Sequence, residues 1–426
     1  MTSAASSWKP YPAYKDSGVE WMGKVPEGWK LQKLKNIVKV NLSNVDKKTI
    51  EGEDTVKLCN YLDVYYNDYI TPNLDFMEAT ASPDQIDKFA LKEGDVIITK
   101  DSESWEDIAV PAYVPHDLDG VICGYHLAHI RPNNLDIDGE YLFWSFCAPQ
   151  QNHQFRVEAH GITRFGIGKY SIDNSIFLVP PLNDQKYIAR FLDDRTRKID
   201  FLIEKKQKLI ELLKEERAAV INPGCHKRAR PARADEGFGG GVAGGGAGRE
   251  VKKLKHIAVL KSGDFINAEN IKPTGDFPVL GGNGLRGYTN TNTHEGNYIL
   301  IGRQGALCGN INLVAGKFYA TEHAVVVTIP DKSNTIWLAE LLRSMNLNQY
   351  SQASAQPGLA IETIKNLFIP FPPYKAQKEI VSLINSETSR IDRAASTIEK
   401  EIALLQEYRT ALISEVVTGK IDVLGE

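Results

Sequence analysis

Two stretches of the chain carry apolar residues at alternating spacings of three and four. Each stretch follows a Pro-Pro pair, which disfavours helix before it, and runs for about forty residues without an internal glycine or proline. The pattern predicts two long helices, over residues 182–222 and 373–417, each roughly 60 Å long. Because a seam that recurs every 3.5 residues must face another helix, we expect the two to form an antiparallel coiled coil. The alternative is two independent helices that each bind a partner.

The two predicted helices are copies of one sequence. Residues 180–221 align without gaps on residues 372–413 at a constant offset of 192, with matches such as Gln185/Gln377. A shorter repeat opens each globular part, where GWKLQKLKNIVKV from Gly28 corresponds to GREVKKLKHIAVL from Gly248. Internal repetition therefore organises the chain as globule, helix, globule, helix. The predicted seam residues are Ile188, Leu192, Ile199, Leu202, Leu209 and Leu213 in the first helix, and Ile380, Ile384, Ile391, Ile398, Leu405 and Leu412 in the second.

The sequence pattern of the two globular parts predicts mixed α/β structure. Strand-like apolar runs at 94–99, 298–301 and 324–329 lie beside short helical patterns at 139–148 and 335–345. We predict an α+β fold with two such domains in a pseudo-twofold arrangement, separated by the two long helices. The predicted boundaries are an N-terminal arm at 1–27, a first domain at 28–181, the first helix at 182–222, a Gly-rich linker at 223–249, a second domain at 250–372, the second helix at 373–417 and a C-terminal tail at 418–426.

Length and composition narrow the class of protein. A chain of 426 residues is too long for one ordinary core. Hydrophobic content of 42% and charged content of 24% are normal for a globular protein, and no apolar run approaches the roughly 18 residues of a membrane span. The N-terminus lacks the pattern of a secretory signal, so we expect a cytoplasmic protein without membrane contact. Five scattered cysteines without a CxxC pair argue against a disulfide framework and a thiolate zinc site.

Charge differs between the two predicted domains. The net charge is −4, but residues 28–180 hold 14 Lys and Arg against 23 Asp and Glu, a net of −9, whereas residues 249–373 hold 12 against 9, a net of +3. The first domain cannot attract a nucleic acid by its overall charge. Contact with DNA would need a local basic patch, with partner subunits neutralising most of the phosphates.

Several longer motifs make the chain resemble the specificity subunits of type I restriction-modification systems. They are YKDSGVEWMGKVPEGWKLQKLK at 14–35, GGNGLRGYT at 281–289, IGRQGALCG at 301–309, ATEHAVVV at 320–327 and SEVVTGKIDV at 414–423. The resemblance covers nearly the whole chain. It implies two target-recognition domains that each read one half of a bipartite sequence in double-stranded DNA, with the paired helices fixing the spacer. It further implies that two methyltransferase subunits dock on the helices and recruit the restriction motor-nuclease subunits, while this chain itself is non-catalytic and needs no cofactor or metal.

Residues 223–248 depart from the repeat, because a second copy of the N-terminal arm is expected there and is not visible. Codons that encode residues 237–248 can, when read one base later, spell DSGVEWLGEVP, close to the DSGVEWMGKVP of residues 16–26. Residues 223–231 allow a similar shifted reading, AVTRGLD, close to VVTGKID of 416–422. One hypothesis is an out-of-frame reading of the missing arm between two compensating frameshifts. The other is a genuine flexible Gly-rich linker.

Candidates for DNA contact are polar residues in loops, where side chains can reach a groove. Arginine suits a guanine edge, and asparagine or glutamine suits adenine. The candidates are Lys100, His126, Arg156, Arg164 and Lys169 in the first domain, and Asn283, Arg286, Tyr288, Arg303, Gln304 and His323 in the second. Each has a competing interpretation as a solvated loop residue or a partner in a fold-stabilising pair.

Enzyme motifs are weak in this sequence. Phe371-Pro372-Pro373-Tyr374 resembles the motif of adenine methyltransferases, but phenylalanine cannot accept a hydrogen bond from the base, and the other copy has Val179-Pro180-Pro181-Leu182, so we interpret both as helix starts. His126 and His129 lack the further ligands of a zinc site. A fused methyltransferase-nuclease fragment would need a cofactor glycine motif after a strand or a set of metal-binding carboxylates. A scaffold whose domains bind only proteins is the other alternative.

Overall fold

The computed structural model describes residues 9–133, 135–226, 250–305, 307–329, 333–351 and 358–424, with residues 221–226 described by their backbone alone. The chain divides into two compact units, Met1–Lys206 with Lys400–Glu426, and Gln207–Glu399. Each unit holds one globular domain and parts of both long helices. Most of the predicted Gly-rich linker, with both of its interpretations, lies outside the described residues.

The first unit is a mixed domain preceded by an arm. Its strands are β1 (Tyr14–Asp16), β2 (Lys24–Pro26), β3 (Lys30–Lys33), β4 (Val38–Leu42), β5 (Asp54–Cys59), β6 (Met77–Ala81), β7 (Val96–Thr99), β8 (Asp101–Ser102), β9 (Pro111–Tyr113), β10 (Val121–Cys123), β11 (Leu127–Pro132), β12 (Phe165–Gly166) and β13 (Ile176–Val179). Its helices are α1 (Tyr61–Tyr65), α2 (Pro83–Phe89), α3 (Gly139–Cys147), α4 (Pro149–Val157), α5 (Lys169–Asn174) and the first part of α6 (Leu182–His226).

An antiparallel sheet of order β4-β11-β7-β9 lies at the centre of this domain. Successive side chains of β7 point to opposite faces, so Val96 and Ile98 enter one apolar core while Ile97 enters another. The first core contains α3 and α4, and the second contains the sheet β10-β5-β6. Burial on both faces explains why every residue of β7 is apolar except the terminal Thr99.

The N-terminal arm packs against the end of the chain. The β1–β2 hairpin brings the Tyr14 hydroxyl to Gly419 O, to which it donates at 3.1 Å, and the Asp422 N–H donates to Lys9 O at 2.8 Å. Gly419 has a φ of +70°, and a Cβ there would lie 2.4 Å from Pro26 Cδ. Only glycine therefore allows the arm to close over this segment.

The second unit is built around one six-stranded sheet. Its strands are β14 (Glu250–Lys253), β15 (Val259–Ser262), β16 (Phe277–Gly281), β17 (Gly284–Thr289), β18 (His294–Gly302), β19 (Ile311–Ala320), β20 (Ala324–Thr328) and β21 (Phe368–Phe371). Its helices are α7 (Thr335–Ser344), α8 (Ile361–Lys365) and the first part of α9 (Tyr374–Val417). The sheet order is β15-β20-β18-β19-β16-β17.

The two domains share a frame. Strands β15-β20-β18-β19 repeat the order and antiparallel directions of β4-β11-β7-β9. The two-stranded ladders β3/β13 and β14/β21 also match, because Lys33 pairs with Ile176 as Lys253 pairs with Phe368. We call these strands, with α3 and α7, the shared frame. The predicted fold class, two mixed domains with two long helices, is confirmed.

A buried glutamine joins the start of each long helix to its domain. Gln185 Oε1 accepts from the Asp138 N–H at 2.8 Å, and Gln185 Nε2 donates to Pro180 O at 2.8 Å. In the second unit Gln377 Oε1 accepts from the Asn334 N–H at 2.8 Å, and its Nε2 donates to Pro372 O at 2.9 Å. Asp138 and Asn334 are the N-caps of α3 and α7. The repeated glutamine thus fixes equivalent helix starts.

The seam of α6 differs from the predicted one at two positions. The sequence pattern predicts Leu202 and Leu209 in the seam, but they are 43% and 45% exposed. Ile203 is buried and Ile210 half-buried in their place. The positions that are buried or half-buried along this part of α6 are 199, 203, 206, 210 and 213. Leu202 and Leu209 each adjoin an isoleucine at one of these positions, so the sequence alone leaves the seam ambiguous by one residue. The other predicted seam residues are buried, apart from the half-buried Leu405.

Ion pairs between the helices follow the repeat inside each unit. In the first unit Arg409 Nε lies 3.0 Å from Asp200 Oδ1, and Lys206 Nζ lies 2.5 Å from Glu401, an order that makes the paired segments antiparallel. In the second unit Arg217 Nε lies 2.9 Å from Asp392 Oδ1. Arg217 and Asp392 are the repeat equivalents of Arg409 and Asp200. Within the described residues no helix has the length and apolarity to cross a membrane.

Candidate nucleic-acid interface

In each domain a basic residue and a histidine lie at the ends of neighbouring central strands. Lys100 follows β7, His126 precedes β11, and the Lys100 N–H donates to His126 O at 2.9 Å. Arg303 follows β18, His323 precedes β20, and the Arg303 N–H donates to His323 O at 3.0 Å. Lys100 is therefore equivalent to Arg303, and His126 to His323. Four of the candidate residues named from the sequence form two matching pairs.

The next residue along the chain completes each group. His126 Nδ1 donates to Asp101 Oδ2 at 3.0 Å, and His323 Nδ1 donates to Gln304 Oε1 at 3.0 Å. We call Lys100, Asp101 and His126, and likewise Arg303, Gln304 and His323, the strand-end cluster of each domain. Asp101 is not among the predicted residues, because an acidic residue in a domain of net charge −9 gives no signal of DNA contact.

In the strand-end cluster of the first domain Lys100 is buried, Asp101 and His126 are half-buried, and Asp101 contacts both of the others. Lys100 Nζ lies 2.5 Å from Asp101 Oδ2 and 4.7 Å from the centre of the Tyr125 ring. Burial alone would raise the pKa of Asp101, but hydrogen bonds from Lys100 and His126 outweigh it and hold the pKa below its usual value. His126 has a φ of +73°, a backbone conformation that few residues other than glycine adopt. The surroundings therefore hold this histidine in place.

Further polar residues surround the cluster. The Tyr61 and Ser102 hydroxyls lie 3.1 Å apart, and the Tyr65 hydroxyl donates to Asp107 Oδ1 at 3.2 Å. Burial raises the pKa of Tyr61, so it stays a neutral hydrogen-bonding group. The tyrosines belong to α1, whose sequence YLDVY gave no DNA-binding signal on its own. Only the pairing of distant strands brings them to this edge.

The other candidates of the first domain are placed differently. Arg164 is exposed on the loop before β12, close enough for its charge to act on Tyr61. Lys169 forms an exposed ion pair with Asp173 inside α5 at 2.9 Å. Arg156 is on α4 and lines a cavity with Trp21 and His153. Of these three, Arg164 is the one associated with the strand-end cluster.

A glycine hairpin completes the candidate site of the second domain. The β16–β17 hairpin turns at Gly282 and Asn283, with Gly281 paired to Gly284. A Cβ at Gly282 would lie 2.8 Å from His323 O, so only glycine lets the hairpin touch the strand end. Asn283, Arg286, Gln304 and His323 line one cavity of about 340 Å³ between the hairpin and the strand ends. The structure thus brings four predicted residues together.

The other two predicted residues of the second domain, Arg303 and Tyr288, do not line this cavity. Arg303 is half-buried, and its Nη1 reaches Ser262 Oγ only at 3.5 Å, the outer limit of a hydrogen bond. Tyr288 lies further along β17, where its backbone pairs with Lys272. Glu322 Oε1 lies 3.2 Å from His323 Nε2, which gives the histidine a second polar contact.

His129 belongs to a buried group of charged and polar side chains. Its Nε2 donates to Asp95 Oδ2 at 2.8 Å, and Arg131 Nη2 donates to the same oxygen at 2.7 Å. Burial would raise the pKa of Asp95, but these two partners outweigh it and lower the pKa. The group lies inside the domain, with both Asp95 and His129 buried.

Comparison with known proteins shows which family the chain resembles. A family model described as the type I restriction modification DNA specificity domain matches residues 26–212 and 247–404. The specificity subunit of the type I restriction enzyme EcoprrI of Escherichia coli is 44% identical over 138 residues, which are 32% of this chain and 34% of that protein. A putative type I restriction enzyme specificity subunit of Haemophilus influenzae is 29% identical over 123 residues, 28% of this chain and 32% of that protein. The matches thus span about a third of these two relatives.

Solved structures share the fold over almost the whole chain. A chain from a study of complex assembly and conformational transition in the type I R-M system has a TM-score of 0.75 at 15% identity, covering 93% of this chain and 99% of that one. The HsdS subunit from Thermoanaerobacter tengcongensis has a TM-score of 0.59 at 17% identity, covering 93% and 98%. At these low sequence identities the structural similarity shows a shared fold and nothing more.

Proposed function

The chain belongs to the type I restriction modification DNA specificity family, and from that premise we propose that it is the DNA-recognition subunit of a type I restriction-modification complex. It reads a bipartite target, with one half-site for each domain. The strand-end cluster, present at equivalent positions of two domains with different sequences, is the observation that carries this proposal. No catalytic step is assigned to the chain, since methyl transfer and cleavage belong to partner subunits.

The residues of the two sites suit base reading in a groove. Arg303 and Arg286 offer the forked donors that match guanine, while Asn283 and Gln304 can bond adenine through both polar atoms of their amides. Lys100, His126 and Arg164 are the corresponding polar residues of the first domain. Arg156, Lys169 and Tyr288, which lie outside the clusters, are assigned to phosphate contact or to the fold. Phosphate contacts position the domain, and base contacts specify the sequence.

Exposed apolar side chains on the long helices support docking of methyltransferase subunits. Leu404 is 61% exposed in the first unit, and its repeat equivalent Leu212 is 50% exposed in the second. Phe201, Leu202 and Tyr408 are further exposed apolar residues on the helices of the first unit. Two identical partners can bind equivalent surfaces of a repeated sequence, which is how an asymmetric DNA target is served by two copies of one methyltransferase. The buried seam between the helices then sets the distance between the two half-sites. The complex works in the cytoplasm.

Binding of the assembled complex to DNA tests the proposal. The chain, with its cognate methyltransferase, is titrated against a cognate duplex and against a duplex of equal length and shuffled sequence, at two salt concentrations. Recognition predicts tighter binding to the cognate duplex, with a difference that persists when salt weakens both complexes. Equal affinity for both duplexes would instead mark a scaffold whose domains bind proteins.

A further inference from the structure

We propose that Asp101 and Gln304 are equivalent specificity-determining residues of the two domains, each selecting one base of its own half-site. This inference rests on the proposed function and assigns a task to one position at the edge of the shared frame. The two residues differ in chemistry, whereas the backbone around them is the same.

Backbone contacts establish that the two positions are equivalent. Asp101 pairs with Gly166 across the β8/β12 ladder, and Gln304 pairs with Gly358 in an antiparallel bridge. The next residue of the returning loop bonds to the basic residue in both cases: the Ile167 N–H donates to Lys100 O at 2.9 Å, and the Leu359 N–H donates to Arg303 O at 2.9 Å. Each position is thus fixed on both sides by main-chain hydrogen bonds.

The first position presents a negatively charged acceptor. Both partners of Asp101, Lys100 and His126, contact Oδ2. Among the described residues, no hydrogen bond reaches Oδ1, and a Cβ on Gly166 would lie 2.7 Å from that oxygen. The glycine therefore leaves Oδ1 open. An ionised carboxylate accepts hydrogen bonds only, and the base edge that offers a donor without an adjacent acceptor is the amino group of cytosine.

The second position presents an amide. Gln304 is exposed, lines the cavity with Asn283 and Arg286, and has its Oε1 oriented by His323. Within the part of the chain that the structure describes, its Nε2 group has no hydrogen-bond partner and can donate. An amide that donates and accepts matches the N7 and amino group of adenine. The structure thus assigns different bases to equivalent positions of the two half-sites.

Exchange of the two side chains tests this. Asp101→Gln and Gln304→Asp are made separately in the full chain, which is assembled with its methyltransferase and used to methylate a random-sequence DNA library whose modified sites are then mapped. Asp101→Gln is expected to change the preference at one base of the first half-site by about 5- to 150-fold and to leave the second unchanged. Gln304→Asp is expected to do the converse. Glu103→Gln and Asn290→Asp, matched changes at exposed neighbouring positions, should leave both half-sites intact.

The outcomes separate this inference from the function beneath it. If the unmodified chain methylates a bipartite motif and both exchanges leave that motif unchanged, the assignment of Asp101 and Gln304 is wrong while the recognition function holds. If the unmodified chain shows no motif, the proposed function itself fails. Asp101→Asn covers the case in which Asp101→Gln lowers methylation of all sequences, because it keeps the shape of the side chain. Uniform loss in a folded Asp101→Asn subunit would reduce Asp101 to a residue that positions Lys100, and would overturn the inference.

Discussion

The two domains use the same frame with different chemistry at its edge. The first domain has a net charge of −9 and inserts α1, α2, β5 and β6 between two frame strands, whereas the second has a net charge of +3 and inserts one glycine hairpin there. At the strand ends, Lys100 and Asp101 stand where the second domain has Arg303 and Gln304. The shared frame therefore fixes the position at which a side chain is presented, whereas the residues and inserted elements at its edge differ between the two domains.

The interiors of the domains differ as well. Asp95, His129 and Arg131 form a charged group in the first domain, and the strand register places Tyr298, Val326 and Thr328 at the equivalent positions of the second. One domain is thus stabilised in part by a buried carboxylate and the other by apolar contacts. The two should respond differently to mutation and to acid.

The largest effect is expected for Asp95→Asn. Asparagine keeps one acceptor oxygen, but it removes the negative charge and puts an NH2 donor where Arg131 and His129 need an acceptor, at a cost of about 3–5 kcal/mol in the first domain. Hydrogen-exchange mass spectrometry should show loss of protection in β7 and β11 and none in β18 and β20. Equal loss in both domains would mean that they unfold as one unit, and would break the comparison.

A smaller effect is expected for Gln185→Leu and Gln377→Leu. Each change leaves a helix N-cap amide and a proline carbonyl without their partner, at a cost of about 2 kcal/mol. Gln185 also donates to Asp136 O at 2.9 Å, so its loss should be the larger of the two. Exchange rates of the Asp138 and Asn334 amides measure each site separately. A larger effect at Gln377 would contradict the reasoning from hydrogen bonds.

Arg303→Ala should affect binding and not folding. Loss of a forked contact to a base is expected to cost about 1–3 kcal/mol of binding free energy and to relax one base position of the second half-site only. Competition binding with single-base variants of both half-sites measures this. Uniform weakening on every sequence would show that Arg303 contacts phosphate.

Acid should weaken the first domain before the second. The pKa of Asp95 is lowered in the folded state, so its stabilisation is complete above the usual carboxyl value of 3.8 and is lost as the pH falls through the lower folded pKa. Denaturation monitored by hydrogen exchange from pH 6 to 3 should therefore show the loss in the first domain. Asp95→Asn should reduce that dependence and leave the part that comes from Asp101, whose pKa is also lowered. An unchanged pH dependence in the variant would assign the effect to other carboxylates.

The smallest effects are expected for the ion pairs between the helices. Arg409 contacts Asp68 and Asp200 and is 23% exposed, whereas Arg217 contacts Asp392 and is 44% exposed. Pairs near the surface contribute about 0–1 kcal/mol, so Arg409→Ala should cost slightly more than Arg217→Ala, and both costs should shrink in high salt. Thermal denaturation at two salt concentrations measures this, and a larger loss for Arg217→Ala would reverse the ranking.

The sequence predicted the helices and the repeat well because their periods extend over forty residues. It misplaced the seam at Leu202 and Leu209, because each of them adjoins another apolar residue and only the partner helix decides which one is buried. The equivalence of Lys100 with Arg303 could not be predicted, since ITKD and IGRQ share little and the match lies in strand register. Asp101 was missed because its role depends on His126, 25 residues away.

Mapping the methylated sites in DNA from cells that carry this chain and its methyltransferase tests the central claim most directly. Two similar domains that each read one half-site predict a motif of two short defined blocks separated by a fixed number of unspecified bases. A single continuous block, or methylation without sequence preference, would contradict it.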